Sequence, residues 1–281
     1  MTLQQVTYDV ASSLGTGHGA CRLSVVSSTQ IMLSPFGGNL LQINGALYQI
    51  PSSGITANTT GTYVNGVAGQ NLTANTTYDV FVFNNSGTLT LDFVTTGHMT
   101  DTTAGNIGIE VRNNSGSPDS TRTLVGKVAV GGSTNFQDNS GVRWCLNWFN
   151  RRMITAYAEP GSPVTGFTAA PWAEITSNFR IYFLTWGDGV YLSHSQMVYA
   201  PSASSWQAYA SISLDSTSSD TYALSASGQP AANYFVQIGG SAVGLLSEGS
   251  HYTTITGGQA GSVSLTYDNG GYGWNNAVVT G

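Results

Sequence analysis

Apolar and polar residues alternate along much of this chain with a period of two, the spacing of a strand with one buried face. Leu89-Thr-Leu-Asp-Phe93 is the cleanest case: Leu89, Leu91 and Phe93 point one way, Thr90 and Asp92 the other. It follows Tyr78-Asp-Val-Phe-Val-Phe83 across Asn84-Asn-Ser-Gly-Thr88. Asn, Ser and Gly tolerate the positive φ angles of a tight turn, so 78–93 is expected to be a hairpin. Leu40-Leu-Gln-Ile-Asn44, Gly45 and Ala46-Leu-Tyr-Gln-Ile50 predict a second hairpin, ended by Pro51. Further strands are expected over 21–26, 108–112, 123–130, 142–146, 151–157, 179–184, 207–213, 234–238 and 262–267. One short helical turn is expected near Ser247-Glu-Gly-Ser-His251.

The pattern predicts an all-β chain of two β-sandwich units with few or no helices, and its 35 glycines argue against long ones. The units are expected over 21–135 and 142–281, divided in the turn-rich stretch that holds Gly131-Gly-Ser-Thr-Asn135 and Asp138-Asn-Ser-Gly141. An alternative is one continuous sandwich with long loops. No short repeat points to a solenoid or β-helix. Residues 1–20 are poor in apolar positions and rich in Gly and Ser over 11–19, so a flexible arm that orders on docking is expected there.

Composition narrows the function. Hydrophobic residues make up 41% of the 281 positions, enough for a real core, while charged residues make up only 8%, against about 25% in ordinary domains. Disorder at so low a charge also needs few aromatics; 6 Trp, 14 Tyr and 10 Phe argue for a folded chain with a neutral surface of Ser, Thr, Asn and Gly. The net charge is −6, Lys127 is the only lysine, and the arginines are scattered apart from Arg151-Arg152. Such a chain has no basic stripe to neutralise nucleic-acid phosphates or anionic lipid. Its short neutral side chains carry little entropy, so its surface can be buried in an assembly at modest cost. The N-terminus has neither a basic start nor an apolar run, and no stretch is long enough for a membrane helix, so synthesis in a cytoplasm is expected. Cys21 and Cys145 fall in apolar strands and are expected to be buried small hydrophobes.

Candidate chemistry is sparse. His18, His98, His194 and His251 have no metal-ligand spacing, and His18 lies in the loop Gly15-Thr-Gly-His-Gly19. Asp188 with Ser193-His194-Ser195 offers the residue types of a hydrolytic triad, but without a nucleophile elbow. Most acids, Asp101, Asp138, Asp188 and Asp268 among them, adjoin Gly, Asn or Thr as turn formers do. Asp119-Ser-Thr121, Asp138-Asn139 and Asp268-Asn-Gly270 hold oxygen ligands suited to calcium but lack the full loop pattern, so turn chemistry is favoured. No cofactor, metal or catalytic residue is expected. The aromatics divide in two. Trp144, Trp148 and Phe149, with Arg151 and Arg152, are candidates for a domain junction or subunit interface. Trp186, Trp206, Tyr252, Tyr272 and Trp274 are candidates for stacking on a glycan, against core or interface burial.

Several segments together resemble a family of virion proteins in tailed bacteriophages and related gene-transfer particles: the head-fibre, capsid-decoration and tail-fibre-like proteins. They are Cys21-Arg-Leu-Ser-Val-Val26, Leu41-Gln-Ile-Asn-Gly-Ala-Leu-Tyr48, Tyr78-Asp-Val-Phe-Val-Phe-Asn-Asn-Ser-Gly-Thr-Leu-Thr-Leu91, Trp144-Cys-Leu-Asn-Trp-Phe-Asn-Arg-Arg152, Ile181-Tyr-Phe-Leu184 and Ser247-Glu-Gly-Ser-His-Tyr-Thr-Thr254. They run in order from about residue 20 to the end. The resemblance implies a jelly-roll-like sandwich, a homotrimer and a place on the particle surface. It brings no catalytic residues. The implied partners are major capsid or tail proteins, with a host-surface glycan as the alternative. A visible heptad stalk is lacking, so a head decoration or spike is favoured over a complete adsorption fibre.

Overall fold

The computed structural model describes residues 19–169, 172–202, 206–219, 222–229, 232–260, 263–268 and 273–280. The expected arm therefore lies, but for Gly19 and Ala20, outside the described residues. The chain forms two compact units: unit 1 runs to Asp138 and takes back Trp144–Arg152, while unit 2 comprises Asn139–Arg143 and Met153–Thr280.

Unit 1 begins with β1 (Cys21–Ser27), β2 (Gln30–Pro35), β3 (Leu40–Ile43), β4 (Ala46–Gln49), β5 (Ile55–Asn58), β6 (Thr62–Val64) and β7 (Val67–Gln70). It continues with β8 (Thr76–Asn85), β9 (Thr88–Val94), β10 (His98–Thr100), β11 (Glu110–Asn114) and β12 (Ser117–Val130). The chain then supplies β13 (Asp138–Asn139) and β14 (Val142–Arg143) to a sheet of unit 2, and returns to unit 1 for β15 (Cys145–Asn147). Among the described residues, β1-β2-β5 make a three-stranded sheet and β3-β4 a hairpin. An eight-stranded sheet has the order β10-β11-β12-β8-β9-β6-β7, with β15 on the second half of β12.

Both expected hairpins form. Their two-residue turns are Asn44-Gly45 and Ser86-Gly87, with φ of 51° and 75°, and of 51° and 97°. Glycine at the second position takes the left-handed angle at no steric cost, and the twist of such a turn matches that of the strands it joins. The core of unit 1 lies between the sheets: Leu23, Ile31, Leu33, Leu41, Val80, Val82, Leu91, Phe93, Val125 and Val128 are buried there.

Unit 2 continues with β16 (Met153–Ala158), β17 (Val164–Phe167), β18 (Ala173–Glu174), a 3-10 turn (Ser177–Phe179), β19 (Ile181–Trp186) and β20 (Gly189–Tyr199). It closes with β21 (Trp206–Leu214), β22 (Tyr222–Gln229), β23 (Val236–Leu245), β24 (Glu248–Ala260), β25 (Leu265–Asp268) and β26 (Trp274–Thr280). Among the described residues, one sheet has the order β13-β14-β19-β24-β21-β22 with β18 beside β24. The other has the order β16-β26-β20-β25-β17 with β23 beside β20. The expected helical turn at Ser247–His251 is corrected: Glu248 opens β24, whose first residues pair with β19 from Trp186↔Glu248 to Ile181↔Thr253. Cross-strand bonding over that length outweighs a weak local turn preference. Gly257 lets the sheets of this unit approach closely: a Cβ there would lie 2.6 Å from the Tyr267 hydroxyl and 2.9 Å from Ile175.

Candidate functional site

The segment 144–152 is built into unit 1 by its amides. Asn147 stands on β15, buried, and its Oδ1 accepts from Leu23 N–H at 2.6 Å while its Nδ2 donates to Leu23 C=O at 3.2 Å. One side chain thus gives β1 the donor and acceptor that a neighbouring strand would give. Asn150 Nδ2 donates to the carbonyls of Cys21 and Gly19, at 3.0 and 3.3 Å. Phe149 packs against the unit 1 core. Trp148 is half-buried, with the His98 ring 5.4 Å from its own and the Arg151 guanidinium 4.1 Å over it; Arg151 Nε donates to Trp148 C=O. Trp144 is half-buried beside Gly131, and Arg152 is exposed.

The candidate glycan aromatics separate by burial. Trp206 is 3% exposed within the unit 2 core and Trp186 is 9% exposed, so neither has a free ring face for a sugar; for these two the stacking expectation is corrected. Trp206 opens a strand whose inward face reads Trp206, Ala208, Ala210, Ile212, and that alternation draws the indole inside. Tyr252 and Trp274 are half-buried, and Tyr272 lies outside the described residues.

Tyr252 belongs to a charged cluster on unit 2. Arg180 binds Glu174 with two nitrogens, each at 2.6 Å, and lies 5.6 Å over the Tyr252 ring. The bond to Glu174 holds the Arg180 guanidinium protonated well above its usual range. Glu174 also accepts from Thr254 at 2.7 Å. Asp215 takes His251 Nδ1 at 2.7 Å and Tyr252 N–H at 2.9 Å, and the other ring nitrogen of His251 meets the Ser247 carbonyl at 2.9 Å. These acids are committed to partners and act as braces of the β18 and β21–β24 region. The triad candidates do not converge either. Ser193 and His194 are successive residues of β20 and project to opposite faces, with His194 buried.

Asp101 and Asp119 make the expected bond to a backbone N–H two residues on, as does Asn139, whereas Asp138 and Asp268 lie in strands β13 and β25. Asp119 Oδ1 accepts from Thr121 N–H, Asp101 Oδ1 from Thr103 N–H and Asn139 Oδ1 from Gly141 N–H. Asp101 does more. Burial raises its pKa, but hydrogen bonds from Asn106, Ser120 and Thr103 outweigh burial and hold it at about 2. Asn106 in turn accepts from Gly45 N–H and Gln42, clamping the 101–109 loop onto the β3–β4 hairpin.

Two features were not anticipated. The first is a cleft of about 500 Å³ on unit 1, lined by Gln49, Pro51, Ile55, Thr56, Thr88 and Thr90. It adjoins a second of about 210 Å³ through Thr56 and Thr90, which runs past Asn58 and Thr60 to Tyr63. No carboxylate, histidine, lysine or arginine lines either one. The second is a row across four hydrogen-bonded strands of unit 2, Val243–Tyr191–Val278–Thr155. Val243 is 69% and Tyr191 44% exposed, and Leu245 and Met153 are exposed at the ends of the two outer strands of the row, β23 and β16.

No family model and no curated protein matches this chain. Among solved structures, Eiger TNF from S. frugiperda is 11% identical, with 45% of this chain and 92% of that chain covered, at a TM-score of 0.32. The infectious bursal disease virus Gx strain structure is 15% identical over 92% of this chain and 70% of that one, at 0.31. The VP2 subviral particle of the same virus is 13% identical over 95% and 76%, at 0.30. Likeness this slight carries no argument about what the chain does.

Proposed function

We propose that this chain is a structural protein of a tailed-phage particle, a head decoration or spike that works by binding other virion proteins on the particle surface as a homotrimer. The observation that carries it is the uncharged row Val243–Tyr191–Val278–Thr155, flanked by Leu245 and Met153. An open sheet face with neighbouring apolar residues exposed is a surface suited to burial against another protein. The scarcity of long charged side chains makes that burial inexpensive, at 8% charged residues. Many copies on a lattice allow each contact to be weak. Particles purified from cultures carrying the gene provide the test, by mass spectrometry and cryo-electron microscopy. The chain is expected in density over the capsid lattice or at its symmetry axes; particles without it overturn the proposal. In solution the expected mass is three times 29.4 kDa.

The paired clefts of unit 1 favour a second reading, a module that recognises a host-surface glycan. Hydroxyl and amide side chains together with Pro51, Ile55, Leu89, Leu91 and Tyr63 make a lining that suits an uncharged sugar. Binding of neutral glycans on an array, abolished by Thr90→Arg, supports it; an array without hits removes it.

A further inference from the structure

Strand β20 carries an unusual inward face. Val190, Leu192 and Val198 are core residues, and the same alternation aims His194 and Gln196 into the interior between them. On the neighbouring strand β26, Asn275 lies in line with the core residues Ala277 and Val279 and pairs directly with His194. Gln196 and Asn275 are both 0% exposed. The apolar residues on either side form two separate clusters. One contains Val198, Trp206, Ala208 and Ile255; the other contains Val190, Leu192, Ile212 and Ala277. A polar layer therefore crosses the middle of the unit 2 sandwich.

The hydrogen bonding of that layer is incomplete among the described residues. Asn275 Nδ2 donates to Phe179 C=O at 2.9 Å, but its Oδ1 has no partner. Gln196 has none at either Nε2 or Oε1. A fully buried primary amide with both ends unbonded is rare in native proteins, because its desolvation is uncompensated; an internal water that bonds several such groups at once is the common remedy. Gln196 offers donors and an acceptor, and Asn275 a further acceptor, which is the mixed set that water satisfies and that a metal ion or an anion does not.

We propose that this layer is a binding site for internal water, about one or two molecules held by Gln196 and Asn275. Water held there exchanges with bulk only when unit 2 opens, so oxygen-17 relaxation dispersion of the full chain counts it as long-lived. Gln196→Met keeps the length of the side chain and removes its hydrogen-bonding groups. The expected result is a loss of dispersion amplitude in Gln196→Met and none in Gln237→Met, whose amide bonds Ser195 on the outward face. Equal amplitude in wild type and Gln196→Met overturns the proposal. A high-resolution crystal structure of the wild-type chain tests it without any variant. Density for water bonded to the Gln196 amide supports the site, and a Gln196 amide bonded only to protein atoms overturns it.

Discussion

Replacing Asn147 by alanine should weaken unit 1 far more than removal of one amide suggests. The amide bonds both the N–H and the C=O of Leu23, itself 2% exposed. Water has no ready access to replace either bond. Each backbone group stranded in the interior costs about 1–3 kcal/mol, so the two together cost roughly 4 kcal/mol. With a slope of roughly 1.5 kcal/mol per molar urea, the unfolding midpoint falls by roughly 2.5 M. Trp144 and Trp148 are the only tryptophans of unit 1, so the long-wavelength shift of their emission follows this transition. Asn147→Asp separates the two bonds: it keeps an acceptor for Leu23 N–H but sets an oxygen against Leu23 C=O, and should lose at least half as much. A loss below about 1 kcal/mol in Asn147→Ala would show that β1 does not need this bridge, and the reasoning would fail.

Three other predictions concern buried groups. Lys127 pairs with Asp79 directly across β12 and β8, both nearly fully buried; Lys127→Met should cost about 3–5 kcal/mol and the double variant Asp79→Leu/Lys127→Met far less, with additive losses in a denaturant double-mutant cycle counting against the pair. Asp101 is held at about 2 from an ordinary 3.8. A depressed carboxylate stabilises the fold above its unfolded pKa and ceases to as pH falls through the folded one. The stability difference between wild type and Asp101→Asn should therefore shrink by about 2 kcal/mol between pH 5 and pH 2, and a difference that stays constant with pH refutes the assignment. Burial pushes the Cys21 thiol up to about 12 and Cys145 higher still; a thiol-exchange reagent at pH 8 should label neither in the folded chain and both in denaturant, and rapid native labelling would show that the unit 1 core opens.

The features legible in the sequence were those with local causes. Ser86-Gly87 and Asn44-Gly45 need positive φ at both positions, and few dipeptides supply it, so these hairpins could be placed from composition alone. The same signal at Asn65-Gly66 and Ser115-Gly116 marks the β6–β7 and β11–β12 hairpins. Partnerships between distant strands were not legible. Asp92 alternates outward from the core face, yet it is fully buried because Arg122, 30 residues away, closes over it at 2.7 Å. The Asn147–Leu23 bridge spans 124 residues, and no local pattern announces it. The burial of Trp206 was legible in its sequence: Trp206, Ala208, Ala210 and Ile212 alternate with Gln207, Tyr209 and Ser211 along one strand.

Among the described residues, the chain passes between its two units after Asp138, after Arg143 and after Arg152. As a gene, neither unit is therefore a single uninterrupted cassette. A recombination breakpoint at 139 would separate unit 1 from β15 and its Asn147 amide, and one at 153 would leave β19 without β14. Mosaic exchange between related genomes, a common way to assort modules joined by a simple linker, would here yield two damaged halves. Inheritance should favour transmission of this chain whole, with variation concentrated at loop tips away from the Val243–Tyr191 row.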